Sequence, residues 1–125
     1  MRLIPILFFI AFLSGCTSIP NAKPERWATG ADERGNKRVL YLDKGNASWE
    51  VYFSNRRSSG KPTTCIQSGS YTQDDNSLIF EFEKGSCDNG RNMNPTAFTC
   101  KSKDQKLRCS SRKYKQIVIY EKEEI

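Results

Sequence analysis

The chain is 125 residues long, with 37% hydrophobic and 27% charged residues. At roughly 100–200 residues per domain it has material for one domain, and it is too polar for several membrane spans. Twenty Lys and Arg against 14 Asp and Glu give a net charge of +6, and the absence of histidine excludes every Ser-His, Cys-His and His-metal arrangement.

In chain order, Met1 and Arg2 form a short positive segment, followed by an apolar run from Leu3 to Leu13. That run suits the core of a secretory signal better than a spanning helix, which needs about 20 apolar residues. It ends in Leu13-Ser14-Gly15-Cys16, which resembles the lipobox of bacterial lipoproteins at all four positions. The resemblance implies that residues 1–15 are removed and that the Cys16 thiol carries diacylglycerol. Cys16 then becomes an N-acylated N-terminus, and two or more acyl chains hold stably at about 0.8 kcal/mol per buried CH₂. Thr17, where aspartate would signal retention in the inner membrane, implies sorting to the outer membrane. The alternatives are an ordinary cleaved signal or an uncleaved anchor helix that happens to end in cysteine. Residues 16–24 hold Pro20 and Pro24 among small and polar side chains and read as an extended tether, which puts the folded domain at residues 25–125.

Beyond the tether the chain reads as strand after strand. A first strand is expected around Arg26–Thr29 and a second at Lys37–Leu42. The turn Asp43-Lys44-Gly45-Asn46 leads to a third, Ser48–Phe53, with Trp49, Val51 and Phe53 on one face. Thr64–Tyr71 and Ser77–Glu83 form the next hairpin, with Leu78, Phe80 and Phe82 on one face and Ile79, Glu81 and Glu83 on the other. Thr96–Ser102 and Lys106–Ser110 flank Lys103-Asp104-Gln105, and Lys115–Glu121 closes the series. No segment keeps a helical period. About eight short strands joined by tight turns predict an all-β fold, an up-and-down antiparallel barrel or strongly curved sheet. The early tryptophan, the Thr64-Cys65…Ser68-Gly69-Ser70-Tyr71…Leu78-Ile79-Phe80-Glu81-Phe82 stretch and the later paired cysteines resemble the small lipocalin-like domains of bacterial envelope lipoproteins, over residues 26 to 121. The Gly-x-Trp signature of long lipocalins is absent, since Trp27 is followed by Ala28-Thr29-Gly30.

With Cys16 acylated, an even number of cysteines remains: Cys65, Cys87, Cys100 and Cys109. In an exported chain these predict two disulfides, and their wide spacing with no histidine argues against zinc. A turn at Asp104-Gln105 sets Cys100 opposite Cys109. A turn at Asp74-Asp75 sets Cys65 opposite Lys84, three positions short of Cys87, with Gly85 available for a bend. The expected pairs are Cys65–Cys87 and Cys100–Cys109, with the crossed pairing Cys65–Cys109 and Cys87–Cys100 as the next choice.

Each candidate site has two readings. Trp27, Trp49, Phe53, Phe80 and Phe82 either line a cup for an apolar ligand or fill the core, and the shortness of the chain favours filling. Glu81 and Glu83 share a face, as acid-base work requires, but that face reads as solvated. Lys101, Lys103, Lys106, Arg108, Arg112, Lys113 and Lys115 form a basic cluster. The first four share the outer face of one hairpin, where they either bind an anionic surface or discourage strand pairing. Arg56–Pro62 and Asp88–Pro95 are polar loops suited to variable contacts. Nucleic acid is not expected as a partner, because the aromatics alternate inward and do not interleave with the basic residues. No catalytic motif, cofactor or metal is expected. The chain is read as a monomeric, envelope-anchored interaction module, contacting an envelope polymer or a protein partner, which includes a secreted host protein that it inhibits. A lipocalin-like carrier of a small apolar ligand is the alternative, and an uncharacterised hydrolase the third reading. An open apolar cavity of a few hundred Å³ marks the carrier, and a packed interior marks the interaction module.

Overall fold

The computed structural model describes residues 23–55, 60–111 and 116–124. The leader and Cys16 lie outside the described residues, as do Arg56, Arg57, Arg112, Lys113 and Lys115. Ten antiparallel strands account for the fold: β1 (Glu25–Ala28), β2 (Lys37–Asp43), β3 (Asn46–Phe53), β4 (Thr63–Asp74), β5 (Ser77–Phe82), β6 (Gly85–Cys87), β7 (Asn92–Met93), β8 (Thr96–Lys103), β9 (Lys106–Ser110) and β10 (Ile117–Glu123). Eight of them close a ring in the order β3-β2-β1-β10-β9-β8-β5-β4, and β3 pairs back onto β4. Closure leaves no free edge among the eight, which is how a sheet this rich in Val, Ile and Phe avoids pairing with another chain. The expected eight strands are therefore the ring itself.

The interior follows from alternation. Trp27, Leu40, Leu42, Ala47, Leu78, Phe80, Phe82, Cys100, Leu107 and Tyr120 point inward and form one buried cluster. Phe80 sits at its centre, 5.9 Å from the Phe82 ring and 5.2 Å from the Phe98 ring. Burying each large side chain of this kind contributes about 1.5–3 kcal/mol.

The two ends of the ring differ. At one end lie the hairpin turns Lys44-Gly45, Asp75-Asn76 and Asp104-Gln105, with the start of β1 and the end of β10. Each turn is tied to another strand of the ring: the carbonyls of Gly45, Asn76 and Gln105 accept hydrogen bonds from the amides of Tyr71, Ser102 and Lys122. Trp27 closes this end from inside. Its Nε1 donates to Glu25 Oε1 at 2.9 Å and its ring lies 5.8 Å from Lys122 Nζ. The other end carries the longer described connections, residues 29–36 and 83–95.

Both disulfides join residues that face each other directly, Cys65 with Cys87 and Cys100 with Cys109. The first pair corrects the expected register. The turn residues are Asp75-Asn76, so Asp74 faces Ser77 and the ladder moves by two positions. Asp75 takes a φ of 61°, a left-handed conformation that Asp tolerates better than most residues. Between Phe82 and Ser86 the chain then holds one residue more than β4 does between Ile66 and Gly69, a bulge that supplies the third position. Gly85 belongs to this bulge: a Cβ there would lie 2.2 Å from the Ile66 carbonyl oxygen. The segment Asp88–Pro95, expected to be a plain loop, instead contains β7, which pairs with β6 as a short hairpin.

Candidate ligand-binding site

The interior is packed only through the half nearer the hairpin turns. Toward the opposite end the inward positions are Arg38 on β2, Val51 and Phe53 on β3, Phe98 on β8 and Val118 on β10, and they surround a cup of about 290 Å³ open at the mouth. Met93 on β7 and Gln116 contribute to its rim. The expectation of a filled core thus holds for Trp27, Phe80 and Phe82 and is corrected at Trp49 and Phe53, which line the cup. The physical reason is strand length against strand tilt. β2, β3 and β10 carry inward residues past Leu40, Trp49 and Tyr120, namely Arg38, Val51, Phe53 and Val118, and these leave the space between them open.

Trp49 and Tyr120 form the floor. Trp49 packs its ring 5.4 Å from Phe98 and 5.8 Å from Phe82, and its Nε1 donates to the Tyr120 hydroxyl at 3.0 Å. Tyr120 is 1% exposed, and burial pushes its pKa up to about 12, against smaller downward effects of the Trp49 hydrogen bond and of the Arg38 charge. The backbone of Arg38 is held by Thr29, whose Oγ1 accepts from the Arg38 amide at 2.9 Å and whose amide donates to the Arg38 carbonyl. This fixes where the arginine enters the wall.

A second buried polar group braces the mouth. Gln67 is 1% exposed, and its Nε2 donates to the carbonyls of Glu83 at 2.9 Å and Asn94 at 2.8 Å, while its Oε1 accepts from Thr96. These bonds satisfy an amide that would otherwise be costly to bury, and they lock the bulge and the approach to β8 in place.

The other candidates sit outside the ring. Lys101, Lys103, Lys106 and Arg108 are all exposed on the outer face, Lys101 facing Arg108 and Lys103 facing Lys106 across β8 and β9. Among the described residues none of the four takes part in an ion pair or a side-chain hydrogen bond. Glu81 and Glu83 are exposed and point away from the cup. Among the described residues there is no group of three or more Cys, Asp and Glu placed to hold a metal ion. Arg38, Val118 and Tyr120 are cup residues that the sequence reading passed over. Their signal was parity: Arg38 alternates with the inward Leu40 and Leu42, and Val118 with Tyr120.

Comparison of the chain with protein-family models, with characterised proteins and with solved structures finds no match in any of the three. The function has to be argued from the barrel itself.

Proposed function

We propose that this chain is a lipid-anchored envelope lipoprotein, lipocalin-like in design, whose barrel holds one small and mostly apolar ligand in its open end. The observation that carries the reading is the cup of about 290 Å³ walled by Val51, Phe53, Phe98 and Val118 over a Trp49–Tyr120 floor. This lies at the small end of ligand sites, which run to roughly 300–1,000 Å³. β1 begins at Glu25, beside the hairpin turns and at the end of the barrel opposite the cup. The resemblance to bacterial lipoproteins, with Thr17 after Cys16, supports an outer-membrane location.

The test is saturable binding of a neutral fluorophore of the size of the cup, 1-naphthylamine, by the full chain in lipid nanodiscs, with empty nanodiscs as blank. One site per chain, lost when Val118→Trp fills the cup and the circular dichroism is unchanged, supports the reading. Absence of saturable binding removes it. For the anchor, Cys16→Ser is expected to leave the precursor uncleaved and without acyl chains. An intact mass showing normal processing of that variant would refute it.

One observation favours a second reading, an interaction module that docks on an anionic surface: Lys101, Lys103, Lys106 and Arg108 share the outer face, with Glu121 facing Lys106 across β9 and β10 but no ion pair to any of the four among the described residues. Charges in such an arrangement attract anions in a salt-dependent way, with a Debye length of about 8 Å at physiological ionic strength. Neutralising all four is expected to reduce co-sedimentation with phosphatidylglycerol vesicles. Unchanged co-sedimentation returns them to an edge-protecting role.

A further inference from the structure

Besides its apolar wall and the polar side chains of Thr96, Ser110, Ser111 and Gln116, the cup holds two donors, the Tyr120 hydroxyl and the Arg38 guanidinium, and neither of these two has an acceptor among the described residues. The Tyr120 hydroxyl receives the Trp49 N–H, which leaves its own proton uncommitted although the residue is 1% exposed. A hydroxyl in this position donates to whatever acceptor enters the cup. The Arg38 guanidinium, on the same lining, has neither an ion pair nor a side-chain hydrogen bond. No carboxylate lines the cup to neutralise it. Asp32 is close enough to feel its charge but forms no ion pair with it; Asp32 Oδ1 accepts from the amides of Arg34 and Asn36 at 2.8 and 2.9 Å.

We propose that the cup selects a small carboxylate with an apolar body, bound with its acid group toward Arg38 and the Tyr120 hydroxyl and its body against Val51, Phe53, Phe98 and Val118. This deepens, and rests on, the ligand-binding reading above. Both donors point to an acceptor-only group, and an arginine pairs with a carboxylate through two parallel hydrogen bonds where an alcohol or ester offers fewer and an amine repels it. At about 30 Å³ for each non-hydrogen atom, the share one water takes in the liquid, the cup of about 290 Å³ takes about ten such atoms. Octanoate, with eight carbons and two oxygens, is therefore the probe of matching size.

The experiment compares octanoate, 1-octanol and octylamine as competitors of 1-naphthylamine on the full chain in nanodiscs, each corrected by empty nanodiscs. Octanoate is expected to bind at least about tenfold more tightly than octanol, with octylamine the weakest. Arg38→Gln is expected to weaken octanoate by about tenfold and octanol by less, so that the two converge, and Arg38→Lys to restore part of the difference. Equal affinities of octanoate and octanol for the native chain overturn the proposal while the fluorophore still reports an intact cup. Failure of the fluorophore itself to bind overturns the ligand-binding reading as well. If Arg38→Gln does not fold, the native chain's ranking of the three competitors decides alone.

Discussion

Gly69 shows how tightly one position is constrained. It sits on β4 facing Phe82, and a Cβ built on it would lie 1.9 Å from the Glu81 carbonyl oxygen and 2.7 Å from the Phe82 Cα, both backbone atoms that cannot swing aside. Gly69→Ala is expected to destabilise the fold by about 3 kcal/mol or more, read as a lower urea midpoint at unchanged slope. Tyr120 makes a prediction of a different kind. Its pKa is raised from 10.0 to about 12 by burial, so the unfolded chain loses this proton first. The stability that the neutral phenol contributes is present below about pH 10 and lost as the pH rises toward 12. The whole effect is worth roughly 2–3 kcal/mol. Unfolding curves between pH 9 and 12 are expected to show that loss in the native chain and a shallower fall in Tyr120→Phe, whatever the starting stability of the variant.

Among the elements, the hairpins are specified by their turns. Lys44-Gly45 and Asp104-Gln105 each have positive φ at both positions, the conformation that matches the twist of the flanking strands. Glycine adopts it without strain, but Gln105 holds a φ of 64° with a full side chain. Gln105→Gly is expected to raise stability by about 0.5–1 kcal/mol, measurable as a higher melting temperature. The β8–β9 hairpin keeps its register regardless, because Cys100 and Cys109 are bonded across it. The two disulfides should differ in effect. Cys65–Cys87 spans 22 residues and Cys100–Cys109 spans nine, so constraint of the unfolded chain is worth about 3.5 kcal/mol for the first and about 2.5 for the second. Replacing each pair by serines is expected to follow that order in denaturant midpoint. The bulge at Glu83–Gly85 is the element that alternation could not place. A one-residue insertion changes which residues face each other and leaves no mark on the hydrophobic pattern of β5 or β4.

At the scale of the molecule, the barrel is packed toward its hairpin end and hollow toward its loop end. Amides of Leu40, Phe80 and Leu107, in the packed half and each 0% exposed as residues, are expected to exchange with deuterium most slowly. Those of β6 and β7, a short hairpin at the rim, should exchange much sooner, and uniform protection would contradict a half-filled barrel. Much of this architecture was legible in the sequence. Strict alternation placed the eight ring strands, the Cys100–Cys109 pair and the outward basic row of Lys101, Lys103, Lys106 and Arg108, because side-chain direction along a strand depends only on parity. The existence of the cup was not legible. Whether Trp49, Phe53 and Val118 meet across the interior or stand apart depends on strand tilt, ring closure and how far each strand runs beyond the last aromatic layer, and those are properties of eight strands together. For the same reason Arg38 read as one more charge in a basic chain. Only closure of the ring puts it on the same wall as a buried tyrosine hydroxyl.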